Sequence, residues 1–123
     1  MREYNLEERL IDYAVLIIEI VKLLPNSIAG RILGNQLTKS GTSAALNYGE
    51  AQGAESRKDF IHKASVILKE LRESHVCLRI VNKSNMIYNQ QLLENALTET
   101  NELISIFVTS INTARKNMVR QKI

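Results

Sequence analysis

Residues 89–118 read NQQLLENALTETNELISIFVTSINTARKNM. Leu93, Leu97, Thr100, Ile104, Phe107, Ile111, Ala114 and Met118 recur at steps of three or four. That is the period of one helical face, whereas a half-buried strand alternates every second residue. Val, Ile and Thr are frequent, yet they fall at helical positions, so their β-propensity does not decide the stretch. Asn89 stands where a cap belongs, and the spacing predicts a helix over 89–118.

The same period extends through the rest of the chain. Ser56-Arg57-Lys58-Asp59 is a cap signal with an acid in the first turn, beside the positive end of the helix dipole. Phe60, Ala64, Ile67, Leu71, Leu78 and Val81 follow near heptad spacing, and Asn82-Lys83-Ser84-Asn85 ends the pattern, so a helix is expected over 57–83. Before it, Ile28, Ile32, Leu33 and Leu37 open a stripe that predicts a helix from 27 or 30 to 52, with Ser27 as cap. The second half of that helix is rich in small residues, from Ser40-Gly41-Thr42-Ser43-Ala44-Ala45 to Gly49, Ala51 and Gly53. Interior glycine costs about 1 kcal/mol relative to alanine. Either another helix approaches closely there, or the helix breaks near Gly41. The first helix is expected over 5–24: Asn5 and Glu8 form a capping-box-like start, and Pro25 stops it. Leu6, Leu10, Tyr13, Ile17, Ile20 and Leu24 make its seam, with Ile11, Ala14, Ile18 and Val21 as a second stripe.

Four long helices with short connections predict an all-α, up-down-up-down four-helix bundle, with residues 1–123 as a single domain. A chain of 123 residues buries roughly two-thirds of its surface on folding. Five Gly and one Pro leave little turn material for a many-stranded protein, and 45% hydrophobic content excludes wholesale disorder. The start Met1-Arg2-Glu3-Tyr4-Asn5 is not a signal peptide, and the most apolar run, Tyr13–Leu24, is too short and too interrupted to span a bilayer. A cytoplasmic protein with no membrane partner is expected. The apolar stripes are wider than one buried face requires: Val15, Leu16 and Leu23 on the first helix and Ile106 and Val108 on the fourth are surplus. Such a surplus marks a homo-oligomeric interface, a wide core being the other reading.

The residues of known catalytic constellations do not assemble in the sequence. A di-metal carboxylate bundle needs two Glu-x-x-His pairs; here Asp59-Phe60-Ile61-His62 is a distant imitation, and His75 has no carboxylate three residues before it. His75 and Cys77 are two apart and diverge on a helix. A lone cysteine excludes an intramolecular disulfide and a Cys-based zinc finger. There is no nucleophile elbow, dinucleotide loop or P-loop lysine. The expectation is a non-enzyme without metal or cofactor.

Charge is the remaining signal. The net +3 is unevenly spread: residues 57–83 carry seven basic and three acidic groups, 84–110 three acidic and no basic, and 111–123 four basic and no acidic. An antiparallel pair of the last two helices would bring Arg57, Lys58 and Lys63 beside Arg115, Lys116, Arg120 and Lys122. These seven are the candidate nucleic-acid-binding residues. The tail holds no Trp, Tyr or Phe, so contact with the RNA or DNA backbone is expected rather than base stacking. Ordinary solvated charge is the other reading.

Residues 34–43 (GNQLTKSGTS), 47–51 (NYGEA), 54–63 (AESRKDFIHK) and 68–73 (LKELRE) together resemble the four-helix-bundle proteins named after the intervening sequences of bacterial 23S ribosomal RNA genes. The resemblance implies a cytoplasmic bundle assembled as a ring, most often a homopentamer. A related protein, the accessory variability determinant of diversity-generating retroelements, is a basic pentameric barrel that binds reverse transcriptase and nucleic acid. Asn47 and Glu50 belong to the shared motif and are read as polar groups pairing between helices 2 and 3 or across subunits. Many members carry Pro where Ala45 stands, so the fixed bend such a Pro imposes is not expected.

Overall fold

Short polar side chains start all four helices. In the computed structural model, which describes residues 5–121, Asn5 accepts from the Glu8 amide at 3.3 Å and Ser27 from Gly30 at 3.0 Å. Ser56 accepts from Asp59 at 3.0 Å and Asn89 from Leu92 at 3.0 Å. Each cap satisfies an amide that has no partner within its helix. The helices are α1 Leu6–Lys22, α2 Ile28–Gln52, α3 Arg57–Lys83 and α4 Gln90–Gln121, and no strand occurs among the described residues. Against expectation, α1 ends two residues earlier and α4 runs three further. The α3–α4 connection places Asn85, just after the capping Ser84, at φ 53°, and Asn85 and Met86 donate back to Asn82 and Val81. Asparagine tolerates this left-handed conformation, which reverses the chain and satisfies the last carbonyls of α3.

Consecutive helices pack against each other in an up-down-up-down bundle, and α1 closes it against α4 with the sparsest contact. Leu10, Tyr13, Ile17 and Ile20 of α1 are buried, as are Ile67, Leu71, Leu78 and Val81 of α3. Two stripes depart in part from their expected residues. On α4 the expected Leu93, Thr100, Phe107, Ile111 and Ala114 are buried, joined by Ala96 and Leu103, while Leu97, Ile104 and Met118 are half-buried. On α2 the expected Ile28 and Ile32 are 72% and 57% exposed, and the inner face is Gly30, Gly34, Leu37, Gly41, Ala44 and Ala51. The second α1 stripe also departs from expectation: Ile11 and Ile18 face outward.

The small residues of α2 have a steric reason. A Cβ on Gly41 would lie 2.9–3.0 Å from three side-chain carbons of Ile17, and one on Gly34 would meet Val21 and Leu24. The α1 side chains thus rest on the α2 backbone, and α2 runs unbroken through Gly41. Of the two explanations open from sequence, close approach holds and the break does not.

One buried layer is polar. Tyr13, Ser40, Ser74 and Thr100, one from each helix, are each at most 1% exposed. The Tyr13 hydroxyl and Thr100 Oγ1 are 2.8 Å apart, the Ser40 and Ser74 hydroxyls 2.6 Å apart, and Ser74 also hydrogen-bonds Tyr13. Thr100 donates to the Ala96 carbonyl at 2.6 Å, which leaves Tyr13 as the donor to Thr100. Burial pushes the Tyr13 phenol above its ordinary pKa, so the layer stays neutral.

Gly41 and Gly49 therefore respond oppositely to alanine. Overpacking typically costs 1–3 kcal/mol and the helix-propensity gain is about 1 kcal/mol. G41A, forced against Ile17, should destabilise by about 1 kcal/mol net. G49A meets nothing within 4 Å and should stabilise by up to about 1 kcal/mol. Urea denaturation of the two variants checks the contrast.

Candidate nucleic-acid interface

α1 is anchored near its own start. Arg9 makes a bidentate pair with Glu99 of α4 at 2.7 Å and a second bond to Glu102 at 3.1 Å. The hydrogen bond to Glu99 leads in raising the Arg9 pKa above its ordinary value, so the guanidinium is always charged. Only Leu6, Glu7 and Glu8 precede Arg9 in α1, whereas α4 continues nineteen residues beyond Glu102, to Gln121. At 1.5 Å per residue that continuation is about 28 Å long. The bundle therefore ends as three helices, the last turns of α2 and α4 with the first turns of α3. Tyr48 and Phe107 pack edge-to-face at 6.0 Å where this part begins.

The antiparallel α3–α4 pair brings the two basic groups to this end. Lys58, Arg115, Lys116 and Arg120 are exposed and make no ion pair among the described residues. Arg57 is half-buried, and its Nη1 is covered without a hydrogen-bond partner. Lys63 is tied to Asp59 at 3.0 Å. Lys122 lies outside the described residues. Arg115 shares an α3–α4 groove of about 230 Å³ with Arg72, so Arg72 extends the basic surface along α3. The carboxylates of Glu50, Glu55 and Asp59 stand at the same end.

Asn47 is half-buried and Glu50 exposed, and among the described residues of one chain neither side chain makes the α2–α3 hydrogen bond that was one of the two expected pairings, the other being across subunits. His62 and His75 lie thirteen residues apart on α3, about 20 Å along the axis. Burial, then Arg79, pushes the His75 pKa down; burial, then Glu73, pushes the Cys77 thiol up. No group of three or more His, Cys, Asp or Glu side chains able to hold a metal gathers among the described residues. None of the helices is long and apolar enough to cross a membrane.

The Arg9–Glu99–Glu102 pair escaped the sequence reading because ninety residues separate its ends and no local spacing marks it. Arg72 was visible as a charge but not as a neighbour of Arg115.

Residues 2–109 match the family of 23S rRNA-intervening sequence proteins. Among solved structures, a protein of unknown function from the S23 ribosomal protein family of Bacteroides thetaiotaomicron VPI-5482 is similar at 28% identity with a TM-score of 0.78. The alignment covers 87% of this chain and 98% of that one. No curated protein matches the sequence. The chain belongs to the 23S rRNA-intervening sequence protein family.

Asp59 controls how much charge this end presents. It accepts from Lys63 and from the Glu55 amide, which together hold its carboxyl below the usual carboxylate range. A depressed folded-state pKa contributes stability above the unfolded value and loses it as pH falls. D59N should melt below wild type at pH 7, and the gap should close as pH drops below about 4. Thermal melts across that range check the sign.

Proposed function

We propose that this chain is a cytoplasmic, non-enzymatic assembly protein, a homo-oligomeric bundle whose α3–α4 end engages the phosphate backbone of nucleic acid. The observation that carries this reading is the set of four exposed cations at the projecting end, Lys58, Arg115, Lys116 and Arg120, which make no ion pair among the described residues. Phosphate contact needs such charges close together and free of carboxylate partners, since each neutralised phosphate releases counterions. Backbone contact carries no base information, so binding is insensitive to sequence. The outward Ile11, Val15 and Ile18 of α1, together with Val76 and Ile80 of α3, support homo-oligomerisation. The family resemblance favours a ring of five. Repeating the basic end around one rim raises avidity without a strong single contact.

A scaffold with no nucleic-acid partner is the second reading, favoured by Glu50, Glu55 and Asp59 at the same end. Fluorescence anisotropy against duplex and single-stranded RNA and DNA at two salt concentrations separates the two. Binding to duplex DNA should weaken with salt, with a logarithmic slope of about −0.9 per contacted phosphate. R115A/K116A/R120A should lower affinity and flatten the slope while the oligomer persists. No binding at low salt, or binding indifferent to the triple substitution, leaves the scaffold in front.

A further inference from the structure

The outer surface of α3 holds an open, apolar groove of about 580 Å³. Leu68, Val76 and Cys77 supply its apolar lining, and Lys69 and Arg72 its positive charge. Glu73 is the one carboxylate lining it, and Gln36 of α2 and Ser65 complete it. From Ser65 to Cys77 it runs twelve residues, about 18 Å along the helix.

A complementary shape lies on α1. Ile11, Val15 and Ile18 are 41%, 52% and 36% exposed and occupy positions i, i+4 and i+7 of one face. A helix presents this spacing when its apolar ridge enters a groove. Glu8, Asp12 and Glu19 are exposed alongside, and Lys22, paired with Glu19 at 3.6 Å, ends the ridge, so the ridge is net acidic where the groove is net basic. Glu8 to Glu19 spans eleven residues, about 16 Å, close to the groove's length. The exposed Ile28 and Ile32 of α2 are accompanied by exposed Arg31 and Lys39, which Lys69 and Arg72 would repel. Within one chain α1 and α3 are not neighbouring helices and meet only in the core, where Tyr13 reaches Ser74, so the outward ridge cannot fill its own groove.

We infer that the α3 groove receives the outer face of α1 from a second copy of this chain, with Glu8 and Asp12 facing Lys69 and Arg72 across the contact. The inference rests on the homo-oligomer reading and names the surfaces that form it. Ridge and groove are different patches, so the contact is head-to-tail. Every bound copy offers another free ridge or groove until the chain of contacts closes. An isologous pair would instead stop at two.

Cysteine cross-linking distinguishes these arrangements, because native Cys77 lies in the groove. V15C, an exposed substitution, should form intermolecular disulfides with Cys77 under copper–phenanthroline. The product should be a ladder of dimers, trimers and larger species on a non-reducing gel. V15C/C77S should reduce the ladder at least tenfold. Independently, K69E/R72E should dissociate the assembly in sedimentation equilibrium, and adding E8K/D12K to the same chain should restore it. A wild type that is monomeric at tens of micromolar overturns both the oligomer reading and this contact. An oligomeric wild type whose V15C form does not cross-link, or cross-links equally without Cys77, overturns this contact alone. An assembly indifferent to the charge reversals does the same.

Discussion

The bundle depends on one buried layer of hydroxyls. Tyr13, Ser40, Ser74 and Thr100 come from four different helices, and none reaches water. A buried hydroxyl without a partner costs about 1–3 kcal/mol. Sliding any helix by one turn would part Tyr13 from Thr100 or Ser40 from Ser74 while leaving many apolar contacts replaceable. Hydrophobic burial supplies most of the drive to fold, but it is non-directional. The hydroxyl layer adds direction and selects the axial register among arrangements of similar apolar burial.

That register decides where the charged end falls. With Tyr13 level with Thr100 and Arg9 on Glu99, the short α1 is spent well before α4 ends. The cations of α3 and α4 thus stand on a three-helix projection. Arg9 neutralises part of the acidic stretch of α4 internally, so Glu99 and Glu102 are engaged away from the basic tail. The alternating charge blocks along the sequence are sorted in space by helix reversal: acids of α4 go to α1, and bases of α4 go to the start of α3.

Helix existence, type and capping were legible in the sequence because they depend on neighbours three or four residues away. Asn5, Ser27, Ser56 and Asn89 could be placed for that reason. The facing of α2 was not legible. Ile28 and Ile32 outrank glycine on any hydrophobic scale, yet the inner face carries Gly41 because Ile17 of α1 needs the space. Steric fit between two helices has no local signature. At the basic end, the grouping of Arg57 and Lys58 with Arg115, Lys116 and Arg120 followed from antiparallel connection alone. The capture of Lys63 by Asp59 could have been read from their i, i+4 spacing. Arg72 required the side-by-side packing of α3 and α4.

α1 joins these considerations. It lies on α2 through glycine-sized spaces and meets α4 sparsely, chiefly through Arg9 and Tyr13. Its inner face is committed to the core, while its outer face carries Ile11, Val15 and Ile18 into water. In an isolated chain such a helix is the element least secured on its outer side, since apolar surface exposed there contributes nothing to folding. Seating that face in a neighbour's α3 groove removes it from water and braces α1 against its own bundle at the same time. On the proposed contact, association and the docking of α1 are therefore one linked equilibrium, in which whatever binds the docked form alone raises its stability by mass action. The basic projection lies beyond the start of α1. Its cations Lys58, Arg115, Lys116 and Arg120 do not line the α3 groove, whereas Arg72 is shared between the basic surface and that groove.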